Sequence, residues 1–443
     1  MFFIQAERNE TKTMYIIDNE LKRLAKENKP IRIGLIGSGF AGRGFALQTL
    51  TCTYGMKLVA ISNRTISKAK QAYIDALGEN IAIDEVSTQK ELDTAILENK
   101  YIVTSDPNLI TDSQEIDVLV EATGEIEFGA RVVMRAIEHK KHIVLINAEL
   151  DATLGPILQH YCHKAGVRYT QADGDQPGKL MNLVRDVEYM GFKPVMAGNI
   201  KSLIDFRRTP KTQEQWSREH FQEPKMPTSF ADGTKISVEM ATIANGTGFK
   251  VGKRNMYGPR CSHVDEAVGL FPMDQLMNGG LVDYILGAEP SFGIFVLGYS
   301  EHPIRKRYMD IYKMGKGPLY TFYTPYHLSP MEAPFSIARL VLFNDVTLAP
   351  KNGLIADVIT LAKFNLKKGD TLDGVGGFLT YGAIENYDTA KKENLLPIGL
   401  ADQAVLNKDI PQDAPITYDD VTFPQGSLSV KLRKEQDAIF PVK

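Results

Sequence analysis

At 443 residues the chain is too long for one ordinary core and is expected to divide into two or three domains. Its 43% hydrophobic and 24% charged residues are those of a globular protein, and a net charge of -3 argues against a nucleic-acid-binding surface, which carries a basic surplus. Cys52, Cys162 and Cys261 lie far apart, offer neither a disulfide framework nor a zinc knuckle, and fit a reducing compartment.

The opening stretch, MFFIQAERNETKT, has too short an apolar run and acids too early for a signal peptide. No apolar stretch approaches the ~20 residues that span a bilayer, so neither a membrane partner nor any location but the cytoplasm is expected. Residues 14–29 carry apolar positions at helical spacing and predict a leading amphipathic helix. IRIGLIG (31–37) reads as a strand running into a glycine turn, FALQTLTCTY as a helix, and KLVAISN (57–63) as a second strand. A helix over 67–77, a strand in IDVLVEATG (116–124), and a helix then strand in ARVVMRAIEHKKHIVLINAE continue the alternation. Such alternation implies right-handed βαβ crossovers and a doubly wound parallel sheet covered on both faces.

After about residue 170 the alternation loosens. Residues 179–191 read as helix, KPVMAGNIKS as a strand leaving a loop, and 230–249 as one long helix. From 268 to 345 short β-rich runs follow, among them FGIFVLGY and IARLVLFND. The last stretch has closely spaced turn residues and suggests a small β-rich module, with LKKGDTLD echoed by IPQDAPITYDD. The expected domains are residues 1–170 (nucleotide-binding), 171–349 (an α+β catalytic, substrate-binding and oligomerisation domain) and 350–443 (β-rich).

Gly37-Ser38-Gly39-Phe40-Ala41-Gly42 is a GxGxxG placed directly after a strand and opening a helix. Gly37 permits the tight turn, Gly39 lets a pyrophosphate approach the backbone, and Gly42 lets helix and strand pack closely. The acid that would bind a ribose 2′-hydroxyl is absent. Asn63 stands at the end of the second strand and Arg64 follows, so no carboxylate repels a 2′-phosphate and a guanidinium can receive one. The pair predicts NADP(H) over NAD(H), against the plainer reading of Arg64 as a solvated residue at a helix start. Ala122, Thr123 and Gly124 form a glycine turn at the carboxyl edge of the sheet, expected near the nicotinamide ribose, with Asn147, Ala148 and Glu149 beside the nicotinamide.

Hydride transfer to a carbonyl needs a group that polarises or protonates the oxygen. Candidates are Asp173 and Asp175 in the loop DGDQPG, Lys201 after an apolar strand, and Glu239 in the Met/Ala-rich segment VEMATIANGTG. A carboxylate in such a setting is costly to bury alone, and Lys201 is its expected partner. Asn245 and Thr247 are candidate substrate contacts, Lys313 and Lys316 candidate phosphate ligands, and His327 a candidate acid/base residue. His139, His142, His160 and His163 complete no zinc site and read as surface residues, and no Gly-x-Ser-x-Gly, HExxH or Walker A motif is present.

Taken together, GLIGSGFAGRG, VLVEATG, NAELDATLGPIL, ADGDQPG, AGNIK and VEMATIANGTG resemble the homoserine-dehydrogenase-like oxidoreductases, in the family's order, from about residue 15 to 435. Within that group, KMGKGPLYTFYTPYHL and a tail (350–443) resembling a SAF domain are similar to the 1-deoxy-D-xylulose-5-phosphate reductoisomerase-like enzymes. The resemblance implies NADPH-dependent conversion of 1-deoxy-D-xylulose 5-phosphate to 2-C-methyl-D-erythritol 4-phosphate in isoprenoid synthesis, by a homodimer or larger homo-oligomer. It also implies a divalent ion, Mg2+ or Mn2+, with Asp173, Asp175, Glu149 and Glu239 as oxygen ligands to test. A homoserine, sugar-acid or polyol dehydrogenase is the alternative within the group, and a non-catalytic NADPH sensor is the alternative outside it.

Overall fold

The computed structural model describes residues 16–442, so the reading of the opening stretch falls outside it. The leading helix is α1 (Ile16–Lys26), whose Leu21 is buried. The nucleotide fold then runs β1 (Ile31–Ile36), α2 (Phe40–Thr51), β2 (Met56–Ser62), α3 (Ile66–Leu77), β3 (Ile83–Glu85), α4 (Gln89–Leu97) and β4 (Tyr101–Thr104). It continues through α5 (Pro107–Asp112), β5 (Val118–Glu121), α6 (Ile126–Glu138), β6 (His142–Leu145), α7 (Ala148–Ala165) and β7 (Tyr169–Gln171).

These seven strands form one parallel sheet in the order β3-β4-β2-β1-β5-β6-β7. Helices cover both faces, so β1, β2 and β5 read as nearly unbroken apolar runs instead of alternating ones. The order reverses between β1 and β5, which opens a crevice at their carboxyl ends. Residues 79–115 supply β3, α4, β4 and α5; a Thr88–Glu91 capping box starts α4.

The central segment comprises α8 (Gln176–Tyr189), β8 (Lys193–Lys201), α9 (Glu214–Glu219), α10 (Lys225–Ala231), α11 (Thr234–Thr247), β9 (Lys250–Val251) and α12 (Met273–Met277). It ends with β10 (Leu281–Leu286), β11 (Gly293–Tyr299), α13 (Pro303–Ile311), β12 (Leu319–Thr324) and α14 (Ser329–Phe343). Its sheet has the order β12-β11-β8-β10-β9. Ala197, Val282, Ile294 and Val296 on one face pack with α8 and α11, while Met196, Ile200, Leu281 and Phe295 fill the other. Two expectations need correction. The long helix over 230–249 is broken at Gly233, which takes a left-handed φ of 83° between α10 and α11. IARLVLFND is not a strand but the second half of α14, ending at Asn344 with φ 51°; Ile337, Ala338 and Leu340 pack with Leu21 and Phe45 against the nucleotide fold. A short apolar run does not by itself distinguish strand from helix.

The last segment pairs β13 (Ala356–Ala362) with β14 (Thr380–Asn386) in antiparallel, adds α15 (Tyr387–Lys392), and pairs β15 (Val405–Leu406) with β16 (Val421–Thr422). The chain then returns as α16 (Leu428–Ile439), a helix the turn-rich reading did not anticipate, to lie on α6 and α7. There it repairs a defect. Pro156 lies inside α7 and disturbs the hydrogen-bond ladder of that turn. Gln436 of α16 accepts from Ile157 N at 3.1 Å and donates to Thr153 O at 3.2 Å, closing the gap.

Candidate functional site

The glycine turn sits in the crevice between β1 and β5. Gly37 has φ 97°, and a Cβ there would lie 2.9 Å from the backbone of Ala122. At Gly42 a Cβ would come within 2.0 Å of Gly37 O, so α2 can start this close to β1 only without a side chain. A Cβ on Gly39, the N-cap of α2, would meet nothing within 4 Å. The space before the helix N-terminus is open, and Ser38 Oγ beside it is buried without a partner. Phe40 and Ala41 then begin the first turn of α2. This is the setting a dinucleotide pyrophosphate requires. Asn63 braces the turn, accepting from Ser38 N at 3.2 Å and donating to Thr65 O at 2.9 Å. Arg64 is exposed beside it, with no ion pair among the described residues.

Across the crevice, Glu121 ends β5 fully buried. Its carboxylate accepts from Thr123 N at 2.9 Å and Asn147 Nδ2 at 2.7 Å, while Asn147 Oδ1 caps α7 by accepting from Leu150 N. Burial, reinforced by the nearby Glu149 carboxylate, pushes Glu121 up to about 7 despite these hydrogen bonds. Glu121 thus joins the turn Ala122–Gly124 to the start of α7.

A second set of charges lies where the nucleotide fold meets the central sheet. Glu149, in the first turn of α7, pairs with Lys235 of α11 at 2.9 Å, both buried. One turn further along α11, Glu239 Oε2 lies 3.8 Å from Lys201 Nζ at the end of β8, the partner expected from the sequence. Burial pushes Glu239 up to about 7, although Lys201 and Lys235 pull it down; Asp175 and Glu149 add to the rise. For Lys235, burial favours the neutral amine, but Glu149, Asp175 and Glu239 more than offset it and raise its pKa. His327, partly buried on the loop after β12, stacks on Phe292 and donates from Nδ1 to Gly174 O at 3.3 Å. Desolvation lowers it to about 4, with Lys201 and Lys235 opposing protonation and Asp175 favouring it, so its ring is neutral at pH 7.

Several buried polar atoms here lack partners: Asp175 Oδ2, both amide atoms of Gln176, both of Asn199, and Glu239 Oε2 as a hydrogen-bond acceptor. Asn199, two residues before Lys201, faces the same side of β8. Buried polar groups are normally satisfied, so a cluster of open donors and acceptors marks a place for a polar ligand.

Residues 174–333 match a family model described as Oxidoreductase DRL, catalytic domain. The chain is also 30% identical over 127 residues to a homoserine dehydrogenase of Methylobacillus glycogenes, covering 28% of this chain and 27% of that one. With a homoserine dehydrogenase of Bacillus subtilis it shares 24% identity over 127 residues, 29% of this chain and 26% of the other. The chain therefore spans about a quarter of the length of the curated relatives it matches. Among solved structures, a scyllo-inositol dehydrogenase from Lactobacillus casei, with bound NAD(H) and scyllo-inositol, aligns at a TM-score of 0.39 and 13% identity, covering 72% of this chain and 91% of that one. Residues 174–333 are thus similar to an oxidoreductase catalytic domain, and a stretch of 127 residues to homoserine dehydrogenases.

Other candidates have structural partners or lie elsewhere. Asp173 is engaged by Asn182 Nδ2 at 2.8 Å and Arg339 at 3.4 Å. Asn245 accepts from Ile355 N at 2.7 Å and Ala356 N at 3.0 Å, and Thr247 donates to Ile243 O at 2.7 Å within its own helix. Lys313 and Lys316 are exposed just before β12, at the end of the sheet opposite Lys201; Lys316 pairs with Asp310 at 3.2 Å. Asp173, Asp175, Glu149 and Glu239 do not assemble as metal ligands: among the described residues no group of three or more His, Cys, Asp or Glu is placed to hold an ion. Arg339 engages Asp173 and Lys235 engages Glu149, so their charge is already balanced by cations. Sequence reasoning missed Lys235. Its signal was a lysine four residues before Glu239, on the same face of an otherwise apolar helix.

Proposed function

We propose that the chain is an NADP(H)-dependent oxidoreductase that interconverts a small polyhydroxylated or phosphorylated carbonyl compound and its alcohol. The observation that carries this reading is the buried set of unpartnered donors and acceptors beside Lys201 and Glu239, at the carboxyl edge of the nucleotide fold. Hydroxyl groups both donate and accept, and a polyol satisfies such a set where an apolar ligand leaves it unpaired. Gly37 to Gly42, Asn63, Arg64 and Ala122 to Gly124 would hold the dinucleotide, which supplies or accepts the hydride. Lys201 donates a hydrogen bond to the carbonyl oxygen, and Glu239 is the proton reservoir, its carboxyl titrating near neutrality. Neutral His327 offers Nε2 to a substrate hydroxyl. Lys235 and Glu149 hold the floor of the site as a balanced pair.

The narrower reading, a 1-deoxy-D-xylulose 5-phosphate reductoisomerase, rests on the resemblance of its motifs in the expected order. It requires a metal and phosphate contacts other than those the sequence suggested. The lack of an assembled acid cluster among the described residues favours the plain dehydrogenase alternative, with a sugar acid, a polyol or homoserine as substrate. A cytoplasmic homo-oligomer belongs to the same proposal. The test follows NADPH absorbance with 1-deoxy-D-xylulose 5-phosphate and Mg2+ or Mn2+, beside NADP+ reduction with homoserine, polyols and sugar acids. Turnover of the deoxysugar phosphate, abolished by chelation, selects the reductoisomerase. Turnover of an unphosphorylated alcohol without metal selects the dehydrogenase, and silence of every substrate overturns both.

A further inference from the structure

Lys363, which follows β13, is fully buried in the last segment of the chain. Its ammonium makes three contacts: Asp232 Oδ2 at 2.8 Å, Arg208 O at 2.7 Å and Gly377 O at 2.6 Å. Each leads somewhere specific. Asp232 lies at the α10–α11 junction, and its Oδ1 accepts from Thr234 N at 2.9 Å, meeting one of the free N–H groups that open α11. Thr234 Oγ1 in turn accepts from Gly382 N of β14 at 2.8 Å. Lys235 is the next residue, and Glu239 follows one turn later. Arg208 belongs to the loop that leaves Lys201, and that loop lies against the same module: Phe206 stacks on Tyr381 with centroids 5.1 Å apart, and Arg207 pairs with Asp413.

We propose that Lys363 is a positioning residue, the point at which the C-terminal module sets the spacing between Lys201 and the Lys235–Glu239 face of α11. The inference rests on the functional reading above, because it assigns a purpose to that spacing. A buried ammonium tolerates little displacement, since any contact it loses leaves an uncompensated charge. Lys363 touches neither lysine of the site and acts only through Asp232, Thr234 and the 202–208 loop.

The test compares Lys363→Met with Lys408→Met, which removes an exposed charge from the same module (Lys408 pairs with Asp420 at 2.6 Å). Each is studied as full-length protein loaded with NADPH. Glu239 titration is read by infrared difference spectroscopy of the protonated carboxyl, assigned by its loss in Glu239→Gln. This readout needs no substrate, so it stands even if the reading of the substrate and its reduction fails. In a Lys363→Met protein that still binds NADPH within about two-fold, we expect the midpoint to move by about one pH unit or more. Turnover, once a substrate is known, should fall at least about ten-fold in kcat. Lys408→Met should change neither. An unmoved midpoint in folded Lys363→Met overturns the proposal. If that variant does not fold, Thr234→Ala removes the bond from Gly382 and the hydroxyl contact with Asp232 while leaving Lys363 in place, and is held to the same two outcomes.

Discussion

At the scale of single residues, Glu239 and Lys201 carry the sharpest expectations. A carboxyl titrating near 7 is protonated below that pH and ionised above it. Carbonyl reduction consumes its proton and should slow as pH rises through about 7, while alcohol oxidation needs the ionised form and should speed up over the same interval. Rate profiles measured in both directions test the sign. Glu239→Gln should flatten both limbs and lower kcat by roughly 10²–10⁴-fold, the usual contribution of a placed acid or base. Lys201→Met should lower kcat/KM without altering NADPH binding; full turnover in that variant would remove Lys201 from the chemistry. Arg64→Asp should weaken NADP(H) relative to NAD(H), read as the ratio of their dissociation constants. The glycine turn was legible because three glycines spaced this way between a strand and a helix form a specific local pattern; Gly37 and Gly42 sit where a Cβ would collide with backbone, and the space before Gly39 is open. The substrate residues were less so. Asn245 and Thr247 have the chemistry of ligand contacts but spend it on backbone groups, a choice made by tertiary packing that sequence spacing does not encode.

Among the elements, α16 shows how much a late helix can hold. Glu127 of α6 accepts from Leu428 N at 2.9 Å and Ser429 N at 2.8 Å, serving as an N-cap delivered from another helix. Although burial opposes ionisation, these donors and Arg131 hold it near 2. Because the folded value is depressed, the stabilisation is present above the ordinary glutamate range and disappears as pH falls through it toward 2. Glu127→Ala should therefore loosen α16 at pH 7 by about 1 kcal/mol, the usual cost of a lost cap, and differ little from the parent near pH 2. Hydrogen exchange of residues 428–439 at both pH values reads this directly. Gln436→Leu should cost more, about 1–3 kcal/mol, because it leaves Ile157 N without its acceptor in the interior. None of this was visible in the turn-rich run of residues before α16. The helix is short and polar on average, and part of its reason to dock lies far back along the chain, in the proline of α7.

On the whole molecule, the expected boundaries at residues 170 and 350 describe composition better than contact. The run from β1 to β7 could be followed because alternation is a local pattern, but α14 crosses back to α1 and α2, and α16 to α6 and α7. Arg433 of α16, buried against Asp357 of β13, also donates to Thr153 O of α7 at 3.3 Å and so ties the first and last segments together. Arg433→Met should cost roughly 3–5 kcal/mol in urea unfolding, since it leaves Asp357 charged and alone, and Asp357→Leu in the same chain should recover much of it. The interleaving has a consequence for biosynthesis. The nucleotide fold leaves the ribosome first, yet the helices that cover its flanks are translated last. At ~5–20 residues per second, the stretch from β7 to the end of α16 takes on the order of tens of seconds to synthesise. Through that interval the nascent sheet carries bare apolar helix surfaces, and the protein's dependence on chaperones should be greatest before its final turn of helix is made.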